Sequence, residues 1–314
     1  MTLVALTGAT GFIGRQLMAE LPRRGYRVRV LLRRPAAMPL QCDSAVIGDL
    51  ARPQNLAAAL RDVTAVIHSA GLAPGMSGTP ADDYRTINTE ATGALARAAQ
   101  RVGVHRFVFL SSIRAQIGPS SPVVVTEAAE PRPADAYGAS KLAAEQQLAR
   151  LDMDWVALRP TLVYGPGVQG NMAALIAAAR LRYPLPLGGL TARRSLLALD
   201  NLVDAVAHVL DAPGSLRRAL IVADDEALSV AEMIAAMRAG LRRRPGLVAV
   251  PQRLLTLALE RAGKAEWIER LCQPLIVSSA ALRGLGWAPK MTTPAGLAAL
   301  MRNTERGPQL PGGV

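Results

Sequence analysis

The sequence predicts a doubly wound α/β fold, in which helices cover both faces of a parallel sheet. Three observations favour this class. Six short apolar runs lie in the first half of the chain, alanine-rich helical stretches separate them, and a glycine-rich turn follows the first run. Such alternation is typical of a parallel sheet, because a chain must cross over between parallel strands and usually does so as a helix. Ligands of these sheets bind at the carboxyl ends of the strands.

Strands and helices alternate regularly in this half. The apolar runs lack the polar alternation of a half-exposed strand, which indicates strands buried on both faces. The predicted strands are residues 3–6, 28–32, 45–47, 65–67, 107–110 and 155–158. The predicted helices are residues 13–24, 55–61, 82–101 and 137–151. This order favours one sheet with helices on both sides.

The pattern changes after Pro160, where glycine and proline clusters indicate loops. Further strands are predicted at residues 195–199 and 219–222, with a helix at 202–210 and mainly helices from there to about residue 301. We therefore divide the chain into a sheet domain and a smaller, mainly helical C-terminal lobe that would hold a substrate. The sheet domain comprises residues 1–166, with 195–222 returning to it, the lobe comprises 167–194 and 223–306, and 307–314 form a flexible tail.

The composition excludes several classes of protein. Two cysteines in 314 residues cannot form a disulfide framework, and no apolar run reaches the length of about 18 residues that a membrane span needs. The net charge of +12 is spread along the chain, and aromatic residues make up only 4%, which argues against a surface that stacks nucleic-acid bases. No histidine or cysteine has metal-ligand spacing, and no export signal is visible. We expect a cytoplasmic protein with no metal, no nucleic-acid partner and no stable membrane insertion.

A glycine-rich turn follows the first predicted strand and opens the first predicted helix. In this position the first glycine permits a tight turn, the second lets the backbone approach a pyrophosphate, and the third lets the helix pack closely on the strand. The helix N-terminus favours the phosphate charge. The sequence therefore predicts a Rossmann-type, dinucleotide-binding sheet domain, with cofactor contacts from Gly8, Thr10, Gly11, Phe12, Ile13 and Gly14.

Two arginines, Arg33 and Arg34, end the second predicted strand. An acidic residue there would accept hydrogen bonds from the adenosine ribose of NAD, whereas guanidinium groups suit a 2′-phosphate. The pair therefore favours NADP(H), with NAD(H) as the other possibility. After the third predicted strand, Asp49 and Leu50 border the adenine in one interpretation, and Asp49 caps the next helix in the other.

Tyr137 and Lys141 open a predicted helix at a spacing that puts both side chains on one face. A tyrosine has a reference pKa of about 10 and exchanges protons poorly at neutral pH. A neighbouring ammonium group would lower that pKa and make the phenol a usable acid or base for interconverting a carbonyl and an alcohol. Lys141 would also bind the nicotinamide ribose. We therefore predict both residues to be catalytic and to contact the cofactor.

Taken together, these motifs resemble the extended short-chain dehydrogenases/reductases, and the resemblance extends to about residue 300. The matching positions are residues 7–14, Asp49, Ala70, Gly71, Asn88, Ser111, Ser112, Tyr137 and Lys141. Residues 158–167 and 193–202 resemble the nucleotide-sugar epimerase/dehydratase branch of that family. The resemblance implies further cofactor contacts from Ser69, Ala70, Gly71, Asn88, Ser111 and Pro160, and dimerisation through helix pairs that include the Tyr137 helix.

One stretch departs from the family pattern, in which a serine or threonine near the end of the fifth strand holds the substrate oxygen. Counting back from Gly118 places Ile113 at that position, whereas counting forward from the strand places Ser112 there. We assign Ser112, because the role needs a hydroxyl. Sugar 4,6-dehydratases of the family carry an Asp-Glu pair just after this residue to eliminate water. Ile113 and Arg114 stand here instead, which argues against dehydration.

The resemblance also implies a substrate, a UDP-linked sugar. Asn171 and Arg194 resemble the residues that bind its diphosphate, and Arg270 is a candidate for a second arginine. A guanidinium group matches phosphate oxygens in a bidentate manner. For Asn171 the alternative is a simple N-cap of the helix that follows.

The pattern is most similar to bacterial reductases of UDP-4-keto-6-deoxy-N-acetylhexosamines, which act in O-antigen and related precursor synthesis. We therefore expect an NADP(H)-preferring reductase at C4 of such a sugar. The first alternative is a UDP-sugar 4-epimerase that uses the same residues with tightly bound NAD. The second is a non-catalytic cofactor-binding scaffold, which the intact pair of Tyr137 and Lys141 argues against.

Overall fold

The computed structural model describes residues 2–73, 80–261, 263 and 271–305. Its strands are β1 (Leu3–Thr7), β2 (Arg27–Leu32), β3 (Cys42–Val46), β4 (Ala65–His68), β5 (Arg106–Leu110), β6 (Asp154–Pro160), β7 (Leu162–Tyr164), β8 (Arg193–Arg194), β9 (Leu196–Ala198), β10 (Arg218–Val222) and β11 (Leu228–Ser229). Its α-helices are α1 (Phe12–Arg23), α2 (Leu56–Ala59), α3 (Ala81–Tyr84), α4 (Ala91–Arg101), α5 (Ala136–Ala149), α6 (Gly170–Arg180), α7 (Leu199–Asp211), α8 (Val230–Gly240), α9 (Gln252–Arg261), α10 (Ala280–Arg283) and α11 (Thr293–Glu305). A π-helical turn (Arg85–Glu90) joins α3 to α4, and a 3-10 turn (Ile113–Ala115) follows β5.

Seven strands form one parallel sheet in the order β3–β2–β1–β4–β5–β6–β10. The predicted doubly wound α/β class is confirmed. The strand order reverses between β1 and β4, whose last residues, Thr7 and His68, are paired in register. This reversal opens a crevice at the carboxyl edge of the sheet, which is where ligands of such folds bind.

Apolar helix faces cover both sides of the sheet. On one side, α1 and α7 bury side chains such as Leu17 and Val206 against the strands. On the other side, α4 and α5 bury Leu95 and Leu148 against β5. A separate cluster joins α6, α8 and α11 and includes the fully buried Ile234. The sheet and these helices form a rigid support for the loops at the strand ends.

Three elements differ from the sequence prediction. The predicted helix at 55–61 is the single turn α2, because Asn55 adopts a left-handed conformation (φ 55°) and Asp62 does the same (φ 64°). The predicted helix at 82–101 contains the π-helical turn. The predicted strand at 195–199 forms as β9 but pairs with β7 outside the main sheet, whereas β10 joins the main sheet beside β6. The division into a sheet domain and a lobe remains a prediction.

Among the described residues, no helix combines the length and apolarity that crossing a membrane requires.

Candidate active site

The glycine turn after β1 has backbone contacts that other residues would break. Gly8 has a φ of +72°, and a Cβ added to it would lie 2.6 Å from the backbone nitrogen of Ala70. A Cβ on Gly14 would lie 2.0 Å from the carbonyl oxygen of Gly8. Both glycines are therefore required by packing, since real Cβ atoms do not approach so closely. The roles predicted for them as turn and contact residues agree with this geometry.

Gly11 stands at the N-cap of α1, and no side chain caps that helix end. The first-turn N–H groups of an α-helix have no partner within the helix, so they favour an anion. Thr10 and Gly11 are exposed, and Phe12 and Ile13 are half-buried. The turn therefore fits a pyrophosphate, as the glycine spacing predicted.

The next strand end brings two arginines to the same edge of the sheet. Leu31 of β2 is paired with Thr7 of β1, and Arg33 and Arg34 follow as exposed residues. After β3, the carboxylate of Asp49 accepts a hydrogen bond from the backbone nitrogen of Ala51 (2.9 Å). The alternative that Asp49 caps the next helix is wrong, because the N-cap position of α2 is Asn55. Leu50 is half-buried against the core.

His68 lies under the glycine turn in a closed hydrogen-bond chain. Its Nδ1 is 2.7 Å from the Thr7 hydroxyl and its Nε2 is 2.9 Å from the Thr92 hydroxyl. The Thr92 hydroxyl already donates to the Asn88 carbonyl, so it accepts from Nε2–H. Burial, together with the nearby charge of Lys141, lowers the pKa of His68 to about 3. His68 is therefore a neutral residue whose two ring nitrogens are held by hydrogen bonds within the protein.

Asn88 ties the loop after β4 to the helix α5. Its Oδ1 accepts from the Leu72 nitrogen (2.8 Å), and its Nδ2 donates to the Leu72 carbonyl (3.2 Å) and the Ser140 hydroxyl (3.1 Å). A Cβ on Gly71 would lie 2.8 Å from Asn88 Oδ1 and 3.4 Å from Lys141 Nζ. The half-buried Ser69 and Ala70 precede it, and the Ala70 nitrogen donates to Thr7 Oγ1 (3.2 Å). The β4 loop, Asn88 and Lys141 thus meet at the crevice.

Asn88 lies within the π-helical turn, which sequence analysis did not find. Such turns often occur at functional sites. The local sequence carries no signal for one, because the turn depends on packing against α5.

Ser112 and Tyr137 face each other across the end of β5. The Ser112 hydroxyl caps the 3-10 turn by accepting from the Arg114 nitrogen (3.1 Å), and it lies close enough to the Tyr137 phenol to lower the pKa of that group. Tyr84 packs edge-on to Tyr137 with ring centroids 5.9 Å apart. Ile113 instead packs in an apolar cluster with Ile221. The geometry therefore favours Ser112 over Ile113 as the hydroxyl beside the tyrosine.

Lys141 is buried on α5, one helical turn after Tyr137. Its Nζ donates to the Leu110 carbonyl (2.9 Å) and lies 4.7 Å from the centroid of the Phe109 ring. Burial lowers the pKa of Lys141 to about 8, although Glu145 opposes the shift.

The expected lowering of the tyrosine pKa is not observed. Burial, Asp135 and Tyr84 together raise the pKa of Tyr137 to about 12, whereas the Ser112 hydroxyl and Arg114 oppose the rise. Lys141 does not contribute to the shift in this pKa. The physical reason is that burial disfavours the charged phenolate and the neighbouring groups do not compensate for it. Tyr137 is therefore a protonated phenol at neutral pH.

The adjacent Ser111 points elsewhere. Its hydroxyl donates to Glu145 (2.5 Å), which forms a buried ion pair with Arg159 (2.5 Å). The Ser111 hydroxyl is therefore engaged within the protein, and a cofactor contact by Ser111 remains a prediction. Sequence analysis missed Glu145 and Arg159, although the spacing of Glu145 from Lys141 on one helix face was an available signal. Pro160 ends β6 and is buried.

The three residues predicted to bind the diphosphate are in different environments. Asn171 is exposed and is the second residue of α6, whose N-cap is Gln169, so the simple N-cap alternative is wrong. The Arg194 guanidinium donates to the carbonyls of Gln273 (2.8 Å) and Pro119 (2.7 Å), and so holds the loop after the 3-10 turn. Arg270 lies outside the described residues.

Within the described ranges, no group of three or more histidine, cysteine, aspartate or glutamate side chains could hold a metal ion.

Comparison with known proteins agrees with this arrangement. The model of the NAD dependent epimerase/dehydratase family matches residues 4–222. A UDP-glucose 4-epimerase of Vibrio cholerae is 34% identical over 308 residues, covering 93% of this chain and 92% of the relative. A ceramide reductase of Caulobacter vibrioides is 32% identical over 66% of this chain and 60% of the relative. The solved structure of MoeE5 in complex with UDP-glucose and NAD has a TM-score of 0.74 and 28% identity, covering 96% of this chain and 98% of that one. The family match spans the sheet, the glycine turn and the Ser112, Tyr137 and Lys141 cluster, and it shows that this chain belongs to the NAD-dependent epimerase/dehydratase family.

Proposed function

We propose that this chain catalyses oxidation and reduction at C4 of a UDP-linked sugar, using a bound nicotinamide dinucleotide. One observation carries the proposal: the Ser112 hydroxyl lies close enough to the Tyr137 phenol to lower its pKa, and the buried Lys141 follows Tyr137 by one turn of α5. The glycine turn, whose first and third glycines have no room for a Cβ, lies at the same edge and fits the dinucleotide. The relative from Vibrio cholerae and the UDP-glucose complex of MoeE5 support the sugar nucleotide as the substrate class.

Each residue has a role that follows from its contacts. The phenol of Tyr137 donates a proton to the sugar oxygen during reduction and accepts one during oxidation. The Ser112 hydroxyl is oriented by the Arg114 N–H, so it donates its own proton to that oxygen. Lys141, whose Nζ donates to the Leu110 carbonyl and lies beside Gly71, would bind the nicotinamide ribose. The bound nicotinamide supplies or takes up the hydride.

Two reactions fit these roles. The full-length similarity to a UDP-glucose 4-epimerase favours 4-epimerisation, in which the same site oxidises C4 and reduces it from the other face. The second candidate is reduction of a UDP-4-keto-6-deoxy-N-acetylhexosamine with NADPH. Arg33 and Arg34 favour it, because their exposed guanidinium groups suit the 2′-phosphate of NADPH. A reductase consumes this cofactor, which must therefore exchange with solution. Asn171, Arg194 and Arg270, in the lobe of residues 167–194 and 223–306, would hold the UDP diphosphate in either case.

A paired assay distinguishes the candidates. The purified protein is incubated with UDP-glucose or UDP-galactose and NAD, and in parallel with a UDP-4-keto-6-deoxy-N-acetylhexosamine and NADPH. Isomer formation without net use of the cofactor supports the epimerase, and stoichiometric loss of NADPH supports the reductase. Free UDP is expected to compete in both assays. Turnover of small ketones that UDP does not inhibit, with no turnover of any UDP-sugar, would overturn the proposal.

The cofactor preference gives a further prediction. Replacing Arg33 and Arg34 by alanine is expected to lower the ratio of NADP(H) to NAD(H) affinity about tenfold or more, because charge-assisted hydrogen bonds to the 2′-phosphate contribute about 1.5–3 kcal/mol. Fluorescence titration of each cofactor measures the ratio. Alanine at Arg101 and Arg150, exposed arginines at the ends of α4 and α5, removes the same charge from the opposite sheet edge and is the control. An unchanged ratio in the Arg33 and Arg34 variant would assign the pair to the solvated surface.

A further inference from the structure

We propose that Asp135 and Arg114 form a positioning pair that fixes the Tyr137 phenol against the Ser112 hydroxyl. The inference rests on the proposed function, because it takes Tyr137 as the acid or base and Ser112 as the residue that holds the substrate oxygen. Neither Asp135 nor Arg114 was singled out as a functional residue by the sequence motifs.

The carboxylate of Asp135 divides its two oxygens between two elements. Oδ1 accepts from the Gly138 backbone nitrogen (2.7 Å), which caps α5 two residues before Tyr137. Oδ2 accepts from the Arg114 guanidinium, which belongs to the 3-10 turn after β5. One side chain therefore connects the helix that carries the tyrosine to the turn that carries the serine.

The backbone of Arg114 completes the connection. Its nitrogen donates to the Ser112 hydroxyl (3.1 Å), and its carbonyl packs so closely on Gly138 that an added Cβ would lie 2.2 Å from the oxygen. A shift of the Arg114 turn would therefore move Ser112 relative to Tyr137. Because the ion pair holds that turn against the start of α5, it sets the separation of the two hydroxyl groups.

The exposure of the pair favours positioning over stability as its role. The side chains of Arg114 and Asp135 are 26% and 37% exposed. Ion pairs that solvent reaches contribute little to folding free energy, because water screens them. The Nε of Arg114 is buried without a hydrogen-bond partner, which is unfavourable for stability. The guanidinium group nevertheless stays in this position, where it contacts Asp135. Small displacements of a catalytic group have large kinetic effects, up to about 100-fold for roughly 1 Å.

The two charges act on Tyr137 in opposite directions. Asp135 raises the pKa of the phenol and Arg114 lowers it, in a setting where burial and Tyr84 raise it and Ser112 lowers it. Loss of either charge therefore shifts the pKa of Tyr137 in a definite direction. Removing the Asp135 charge lowers the apparent pKa of Tyr137 in the pH dependence of kcat, and removing the Arg114 charge raises it. If the pair were purely structural, the two variants would shift this apparent pKa in the same direction or not at all.

The test uses variants that separate the cap from the ion pair. Asp135→Asn keeps an N-cap acceptor for Gly138, since asparagine caps helices as well as aspartate, but loses the charge. Arg114→Met loses the pair from the other side. Asp135→Ala loses both contacts. Glu130→Gln breaks the exposed ion pair of Glu130 with Arg132 (3.1 Å) by the same carboxylate-to-amide change and is the matched control.

We expect Asp135→Asn and Arg114→Met each to lower kcat about tenfold with KM for the sugar nucleotide unchanged, and to shift the pH profile in opposite directions. The double variant should be no worse than the worse single variant, because both remove one interaction. Glu130→Gln should match the wild type. Unchanged kcat in both single variants, fully additive losses, or pH shifts in the same direction would overturn the proposal.

A measurement without substrate separates this proposal from the proposed function. Crystal structures of Asp135→Asn and Arg114→Met should retain the start of α5 but show a longer separation between the Ser112 and Tyr137 hydroxyl groups. An unchanged separation in both variants would overturn the positioning role, whatever the substrate. Absence of turnover of any UDP-sugar by the wild type would instead overturn the proposed function and leave the structural result standing.

Discussion

Replacement of Tyr137 by phenylalanine is expected to lower kcat about 10²- to 10⁴-fold while the protein stays folded and binds its cofactor. The substitution deletes only the phenol oxygen, and the edge-on contact with the Tyr84 ring is kept. Because burial raises the pKa of Tyr137 to about 12, the wild-type phenol carries its proton throughout the neutral range. Steady-state kinetics with the sugar nucleotide and fluorescence titration of the cofactor measure the two effects.

Tyr84→Phe serves as the control for Tyr137→Phe. Tyr84 donates to the Ala73 carbonyl (3.3 Å) and lies beside the site, so its variant loses a neighbouring hydroxyl without losing the proposed proton donor. We expect its kcat to stay within a factor of a few of the wild type. A Tyr137→Phe enzyme of near-normal rate would mean that another group transfers the proton.

Replacement of Lys141 by methionine is expected to lower kcat about 100-fold or more without lowering stability at pH 7. Burial lowers the pKa of the ammonium group from 10.5 to about 8, so keeping it charged in the fold costs on the order of 3 kcal/mol. The lost hydrogen bond to the Leu110 carbonyl costs about 1–3 kcal/mol, which offsets the gain. Urea unfolding of both proteins measures the difference.

The pH dependence of the unfolding free energy has a definite sign. Below pH 8 the lysine is protonated in both the folded and the unfolded chain, and the cost of burying the charge is fully present. Above about pH 8 the unfolded chain binds more protons than the folded one, so the stability contribution of Lys141 rises until about pH 10.5. The free energy of unfolding of the wild type should therefore rise relative to that of the Lys141→Met variant between about pH 8 and pH 10.5.

Lys290→Met is the control, because it removes an exposed ammonium group that is paired with Asp204, and it should leave kcat unchanged. A large loss of stability in Lys141→Met at pH 7 would assign the lysine to the structure.

Much of the fold and part of the site follow from local sequence. Gly8 and Gly14 could be assigned because their spacing and their place after a strand reflect the contacts of one turn. Tyr137 and Lys141 share a helix, so their spacing alone puts them on one face. Ser111 and Ser112 were harder, because consecutive residues at a strand end point to opposite sides, and only the position of Glu145 decides which side faces the crevice.

Other features depend on contacts between distant segments. The chain of Thr7, His68 and Thr92 forms only after β1 and β4 pair and α4 packs on them. The raised pKa of Tyr137 depends on how much of the protein covers it, which spacing does not reveal. The carboxylate of Asp135 could be predicted as an N-cap, but its bond to Arg114 required the loop to fold back on α5.

The π-helical turn of Arg85–Glu90 limits how this region of the gene can change in length. A π turn contains one residue more than the regular helix around it, and removing that residue restores an ordinary α-helix. Side chains within the turn would then rotate by up to about 100° around the helix axis, whereas the flanking helices would keep their relative orientation. Asn88, whose amide bridges the β4 loop and α5, could not face the loop and Ser140 together after such a rotation. Single-residue deletions in this segment should therefore be absent from catalytically active homologues, whereas substitutions at its exposed positions should be tolerated.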